Sequence, residues 1–324
     1  MTKHILVTGS SGTVGTALVQ ALDAKGFAVT PLDIRPSIWD AKINRRTFRC
    51  DLRKPLSKLK LKHTPDVIVH LAANARVHDS VLDPKLALDN YLMVYNLLEY
   101  ARQHSVSRFI YASSREVYGE TGTKVKFSES DTHVTKLKSP YSASKFGAEA
   151  LVHSYHDCYD IKPVITRLSN VYGRYDVSER VIPLFMYYAQ RGRELCVFGR
   201  EKKLDFTYID DCIDGLIRII KRFDKVAGRT FNLASGRGER LLDLATMIRD
   251  QLASDSNISI SSKRVGEISS FIGDISKARK LLGYNPKVSL KQGLAATAEW
   301  YVQAMKHRRI YETQRRNLAR RGWA

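Results

Sequence analysis

Cysteine is scarce in this chain of 324 residues: Cys50, Cys158, Cys196 and Cys212 are scattered, with neither metal-site nor disulfide spacing. That excludes a disulfide-stapled fold and fits buried thiols in a reducing, cytoplasmic compartment. No apolar run is long enough to span a bilayer, no secretory leader pattern opens the sequence, and no internal repeat recurs. Metal ligands are not gathered either. His153, His156, Asp157 and Cys158 have local metal-like spacing, but no second ligand group accompanies them, so no metal is expected. Acidic residues are outnumbered, 33 against 53 basic, leaving a net charge of +20. A positive field of that size favours an anionic ligand. No aromatic-rich basic motif accompanies it, so nucleic acid is not expected as a partner. Part of the excess lies in a basic tail, residues 306–324, read as a solvated helix or frayed end.

What is present begins with a glycine-rich turn. His4 to Thr8 is a short apolar run that reads as a buried parallel strand, and glycines follow at 9, 12 and 15. The next segment, Val14 to Leu22, has helical apolar spacing. Strand, turn and helix stand in the order of a dinucleotide clamp. Gly9 allows the tight turn, Gly12 the approach of backbone to a pyrophosphate, and Gly15 the packing of helix on strand. The free N–H groups of the helix start then face the phosphates. A second strand ends at Asp33, 18 residues beyond Gly15. A carboxylate there accepts the ribose hydroxyls of an adenosine and repels a 2′-phosphate, so the expected cofactor is NAD rather than NADP. Arg35 is a signal in the other direction.

The second motif is Tyr141-Ser-Ala-Ser-Lys145, just after Pro140, which suits a helix start. Four residues apart on a helix, Tyr141 and Lys145 share one face. A phenol of ordinary pKa is a poor base at neutral pH. Lowering it by about 3 units needs roughly 4 kcal/mol of differential stabilisation. The Lys145 ammonium and a nicotinamide cation are the expected sources. Upstream, Val106 to Ser113 reads as another buried strand running into Ser113 and Ser114. That places hydroxyls where an open α/β sheet presents its ligands.

With these motifs in this order, residues 3–300 resemble the extended short-chain dehydrogenase/reductase family, in its nucleotide-sugar epimerase and dehydratase branch. The resemblance implies that Asp51 and Leu52 lie near the adenine, and that Leu71, Ala72 and Ala73, after His70, line the cofactor. It implies that Asn90 opens a helix beside it. Within Arg167 to Gly173 (RLSNVYG), Asn170 matches the position that contacts a nucleotide diphosphate, and Arg264, in RVGE, the position that grips its pyrophosphate. Ser114 matches the catalytic hydroxyl, and Glu116 the position where dehydratases and decarboxylases carry a glutamate. Two departures stand out. Arg115 replaces the acidic neighbour of that glutamate in dehydratases. Leu204 replaces an arginine before Asp205, with Arg200, Lys202 or Lys203 as substitutes for the charge.

The expected fold is α/β, a Rossmann-type doubly wound and mainly parallel sheet with a smaller C-terminal substrate lobe. Strands are expected at 3–8, 28–32, 46–50, 66–70, 107–112, 163–168 and 230–233. Residues 1–173 with 205–234 form the NAD-binding part, and 174–204 with 235–305 the lobe. The expected activity is 4-epimerisation of a UDP-hexose or UDP-hexuronate through a 4-keto sugar. The rivals are a 4,6-dehydratase or a decarboxylase using Glu116, and a non-catalytic dinucleotide-binding regulator. The resemblance also implies a homodimer through the helices that carry Asn90 and Tyr141.

Overall fold

The computed structural model describes residues 3–319 apart from 58, 121, 123, 263–265 and 267. Seven parallel strands form one sheet: β1 (His4–Thr8), β2 (Ala28–Asp33), β3 (Phe48–Arg49), β4 (Val67–His70), β5 (Arg108–Ser114), β6 (Lys162–Leu168) and β7 (Arg229–Leu233). Their order is β7-β6-β5-β4-β1-β2-β3. Helices cover both faces, among them α1 (Thr13–Ala24), α2 (Lys85–Gln103), α3 (Pro140–Tyr159), α4 (Ile209–Lys221) and α5 (Leu290–Met305). The central strands are near-continuous apolar runs because both of their faces are buried: Ile5, Leu6, Val7, Val67, Ile68 and Val69 have no exposure. Leu18, Leu22, Ile213 and Leu216 fill one face, and Val94, Leu97, Val152 and Tyr155 the other.

All seven expected strands are present, with two altered ends. β3 is reduced to Phe48–Arg49 because a helix, Ala41–Arg46, takes the preceding residues. Asp40 caps that helix, its carboxylate accepting from the N–H groups of Lys42 and Ile43. β5 runs two residues further than expected, to Ser114, and so carries both serines to the carboxyl edge of the sheet.

The strand order reverses between β1 and β4, where an open α/β sheet binds its ligand. The crevice there is tight. Gly9 has φ +70, and a Cβ on it would stand 2.7 Å from the Ala72 backbone nitrogen.

A second apolar cluster sits beyond the carboxyl edge of the sheet. Phe185, Val197, Leu204, Leu244, Phe271 and Tyr301 belong to it, together with Val117, Tyr118 and Phe127 from the connection after β5. A four-stranded sheet runs through this region in the order Glu239–Arg240, Lys203–Leu204, Ser270–Gly273, Lys126–Phe127. Asp205 ties it to the end of β7. Its buried carboxylate accepts from Ser235 N–H (2.8 Å), Ser235 Oγ (2.8 Å), Gly236 N–H (2.8 Å) and Gly273 N–H (3.3 Å). So many donors explain how a carboxylate can be buried there.

The basic tail is the solvated helix expected of it, exposed at Arg308, Arg309, Arg315 and Arg316, with one anchored residue. Arg308–Ala319 is a helix, and its Gln314 is buried and accepts from the Tyr301 hydroxyl at 2.6 Å. Among the described residues no helix is long and apolar enough to cross a membrane.

Candidate active site

The cofactor end is built by β1, β2 and β4. Gly12 is the N-cap of α1 and offers no side-chain bond to the free amides of the first turn. A Cβ on Gly15 would collide with the Gly9 carbonyl, so glycine is required for α1 to sit this close to the turn. Asp33, at the end of β2, is buried. Its two carboxylate oxygens accept from Ser11 N–H (2.9 Å) and Arg35 N–H (2.8 Å). Each oxygen keeps acceptor capacity for a ribose hydroxyl. An uncapped helix start, a backbone cradle without side chains and a fixed carboxylate together fit a dinucleotide. Arg35 is thus engaged with Asp33 through its backbone.

The other expected cofactor contacts divide. Leu71 and Ala73 line the main cavity, and Ala72 closes on Gly9. Thr8 Oγ1 stands 2.7 Å from His70 Nδ1, and burial, with some help from the Lys145 charge, lowers the His70 pKa to about 3. The imidazole is therefore neutral. Asp51 is engaged by Arg53, whose guanidinium donates to both carboxylate oxygens at 2.8 Å. Leu52 is a core residue, packed with Leu6, Leu32 and Leu97. Asn90 does not open its helix. α2 starts five residues earlier, at Lys85, where the Asp83 carboxylate accepts the Lys85 N–H and Pro84 sets the chain for a helix. Asn90 therefore faces inward and clamps the backbone of Asn74, accepting its N–H at 2.7 Å and donating to its carbonyl at 3.2 Å. This holds the segment after Ala73 in place.

At the carboxyl edge of β5 and β6 lies a cavity of about 330 Å³ whose lining includes Ser114, Glu116, Tyr141, Lys145 and Asn170. Five expected site residues, drawn from β5, the turn that follows it, α3 and the segment after β6, thus meet in one place. α3 owes its position to Ser139, which caps it with a capping box, and to Pro140 at its start. Ser114 and Tyr141 line the cavity together, and the Ser114 hydroxyl accepts from the Glu116 N–H at 3.2 Å. Burial holds the Tyr141 phenol above its ordinary pKa, while the nearby Ser114 hydroxyl and the Arg180 and Arg115 cations draw it down. Lys145 is not among the groups that lower it. Its ammonium donates to the Ala112 carbonyl at 2.8 Å and lies 4.9 Å from the centre of the Tyr111 ring. Burial pulls Lys145 down to about 8, against the pull of Glu149.

Arg115 organises the reacting end. It is ion-paired with Glu116 at 2.8 Å, and its Nε donates to Asn170 Oδ1 at 3.1 Å. The Asn170 amide in turn donates to the Asp205 carbonyl at 2.8 Å. Below the cavity Arg167 forms a two-pronged pair with Glu149, at 3.0 and 2.7 Å, with both side chains buried.

Arg200 and Lys202 occupy different environments. Arg200 stands exposed on the turn after the strand Leu195–Phe198 and does not line the cavity; Lys202, two residues on, is buried and does. Arg264 lies outside the described residues. Sequence reasoning missed Asp176, Glu179 and Arg180, which line the cavity from one loop, and Arg76, which lines it and is ion-paired with Glu179. The run of charge in RYDVSER, 174–180, was the available signal. Among the described residues no group of three or more His, Cys, Asp or Glu side chains could hold a metal ion.

The model of the NAD dependent epimerase/dehydratase family matches residues 5–234. An uncharacterised UDP-glucose epimerase of Bacillus subtilis is 32% identical, over 90% of this chain and 95% of its own. The crystal structure of UDP-glucose 4-epimerase with UDP-glucose, from Thermotoga maritima, superposes with a TM-score of 0.86 at 29% identity, covering 93% of this chain and 99% of that one. The dTDP-glucose 4,6-dehydratase of Streptomyces venezuelae with NAD bound has a TM-score of 0.84 at 28% identity, over 94% and 98% of the two chains. The uncapped helix, the glycine cradle and the Asp33 carboxylate fit the NAD that such enzymes use, and the chain belongs to the NAD-dependent epimerase/dehydratase family.

Proposed function

We propose that this enzyme is a nucleotide-sugar 4-epimerase, acting on a UDP-hexose or UDP-hexuronate. The Arg115–Glu116 ion pair carries the reading. A 4,6-dehydratase must deprotonate carbon 5 and protonate a leaving hydroxyl. Here the glutamate placed for that work is held by a guanidinium that stays charged at any ordinary pH and is a poor acid. The acid–base group left at the reacting end is Tyr141, with Ser114 beside it in the cavity lining.

Bound NAD supplies the acceptor and donor of one hydride. Tyr141 takes the proton of the 4-hydroxyl as hydride leaves carbon 4; once the 4-keto sugar has turned over, carbon 4 receives the hydride on its other face and Tyr141 returns the proton to oxygen 4. Ser114 orients the hydroxyl and the phenol toward each other. Lys145 fixes the nicotinamide ribose and adds positive charge near the phenolate as it forms. Asn170, and Arg264 beyond it in sequence, anchor the diphosphate, with Lys202 as the cation that takes the place of Arg200. Residues 1–173 with 205–234 hold the cofactor, and 174–204 with 235–305 hold the nucleotide sugar. Two copies pair through α2 and α3, where Tyr91 and Tyr95 are 36% and 43% exposed. Sedimentation should show a dimer that Tyr91→Glu dissociates.

Turnover in heavy water tests the reaction. An epimerase returns the hydride it removed, so no deuterium enters the sugar carbons and no mass is lost. Deuterium at carbon 5, with loss of water or carbon dioxide, would overturn the reading and make Glu116 a base. Tyr141→Phe should keep NAD bound and reduce turnover by at least about 10²-fold.

A further inference from the structure

Ser105, Asp160, Tyr175 and Ala253 are the described non-glycine residues with positive φ. Three follow helix ends, after Gln103, Tyr159 and Gln251, where a left-handed residue closes the last turn. Tyr175, at φ +68, does not. It stands in the loop between the strand Asn170–Tyr172 and the helix Val181–Ala189. A left-handed backbone is disfavoured for a bulky side chain and persists only where the surroundings over-determine it.

The surroundings of Tyr175 belong to the cofactor helix. Its carbonyl accepts from Thr13 Oγ1 at 2.9 Å, and Thr13 is the first residue of α1, directly after Gly12. Its hydroxyl donates to Gln20 Oε1 at 2.9 Å, two turns along the same helix. Its ring lies 5.8 Å from both Trp39, in the loop after β2, and Trp300, in α5. The residues that follow it enter the sugar cavity. Asp176 is 4% exposed and lines the cavity, as do Glu179, ion-paired with Arg76, and Arg180, whose charge acts on Tyr141.

We infer that Tyr175 is a positioning residue: it fixes the cavity-lining segment 176–180 against the first turns of the cofactor helix, and so sets how the nucleotide sugar lies over the reacting end. This rests on the reading of the cavity as the nucleotide-sugar site. Tyr175 touches neither the substrate nor the reacting atoms in this scheme.

The test uses the NAD-loaded enzyme, with UDP and UDP-glucose titrated calorimetrically and KM and kcat followed on UDP-glucose. Tyr175→Ala should weaken UDP-glucose binding and raise KM by about 10-fold, while kcat at saturation stays within about 3-fold, the pattern of lost uniform binding. Tyr175→Phe, which loses only the Gln20 bond, should recover most of the affinity. Thr13→Val should reproduce the KM rise, and Thr13→Ser reverse it. The Thr13→Val/Tyr175→Ala double variant should be no weaker than Tyr175→Ala, because both changes free one segment. Near-UV circular dichroism and melting establish that each variant is folded. Unchanged affinity and KM in a folded Tyr175→Ala enzyme, or strictly additive losses in the double variant, overturn the positioning role alone. A wild-type enzyme that binds neither UDP nor UDP-glucose overturns the reading of the cavity and this inference with it.

Discussion

Arg115 donates to Glu116 across 2.8 Å at the reacting end of the cavity, with side-chain exposures of 12% and 7%. Neighbours in sequence and opposite in charge, the two neutralise each other where the sugar is expected to turn over.

Removing one partner of a buried pair leaves the other uncompensated, which costs about 3–5 kcal/mol. Arg115→Ala should therefore lower stability by about 3 kcal/mol in urea unfolding. Adding Glu116→Ala should restore a large part of that loss, because the stranded carboxylate is gone. Equal stability of Arg115→Ala and the wild type would mean that the pair holds nothing in place.

Asp33 accepts two backbone N–H groups and keeps acceptor capacity for the adenosine ribose proposed to bind there. Asp33→Asn keeps the shape and removes the charge that repels a 2′-phosphate. Wild-type protein should bind NAD at least about 10-fold more tightly than NADP, one tenfold step being about 1.4 kcal/mol. The variant should close most of that gap, read by fluorescence titration of the stripped protein. NADP binding as tight as NAD in the unmutated enzyme would refute the role given to Asp33.

Lys145 is depressed to about 8 by its burial. The ammonium is the form below that value, and it is lost as pH rises through it. If the cation is needed at the reacting end, kcat/KM should decline on the alkaline side with an apparent pKa of about 8. A profile level to well beyond that pH would show that the Lys145 charge does not act in the rate-determining step.

Much of this site was legible because its spacing is local. Four residues on a helix bring Tyr141 and Lys145 to one face, and the glycines at 9 and 15 mark a turn too tight for any side chain there. The strands were legible because burial on both faces leaves unbroken apolar runs. What escaped is set by tertiary contact. Arg115 meets Asn170 across 55 positions, and Lys145 bonds the Ala112 carbonyl across 33, distances on which no local pattern bears. Arg200 and Lys202 differ only in which side of a turn they occupy, and charge alone does not tell them apart. The start of α2 was misplaced because Asp83 and Pro84 set it, while the apolar spacing from Tyr91 onward says only that a helix is under way.

The last prediction joins the buried pair below the cavity to the chemistry above it. Glu149 lies one helical turn beyond Lys145 on α3, and its carboxylate is bound to Arg167 at 2.7 Å. It is also the group that holds the Lys145 pKa up against burial. Glu149→Gln keeps the side-chain shape and removes the charge, with two separable consequences. Arg167 becomes a buried cation without a counter-charge, although the Tyr118 hydroxyl at 3.2 Å and the Glu129 carbonyl at 2.7 Å stay within its reach. The variant should therefore lose about 3 kcal/mol or more of stability. Lys145, no longer supported, should give up its proton at lower pH. The alkaline limb of kcat/KM should then move to the acid side, because the charged form of a depressed lysine survives only below its folded-state pKa. Arg167→Met, which removes the cation and leaves Glu149 charged, should also destabilise the fold but should not move that limb to lower pH. If both variants shift the limb equally, or neither does, Glu149 acts on the fold alone and not on Lys145.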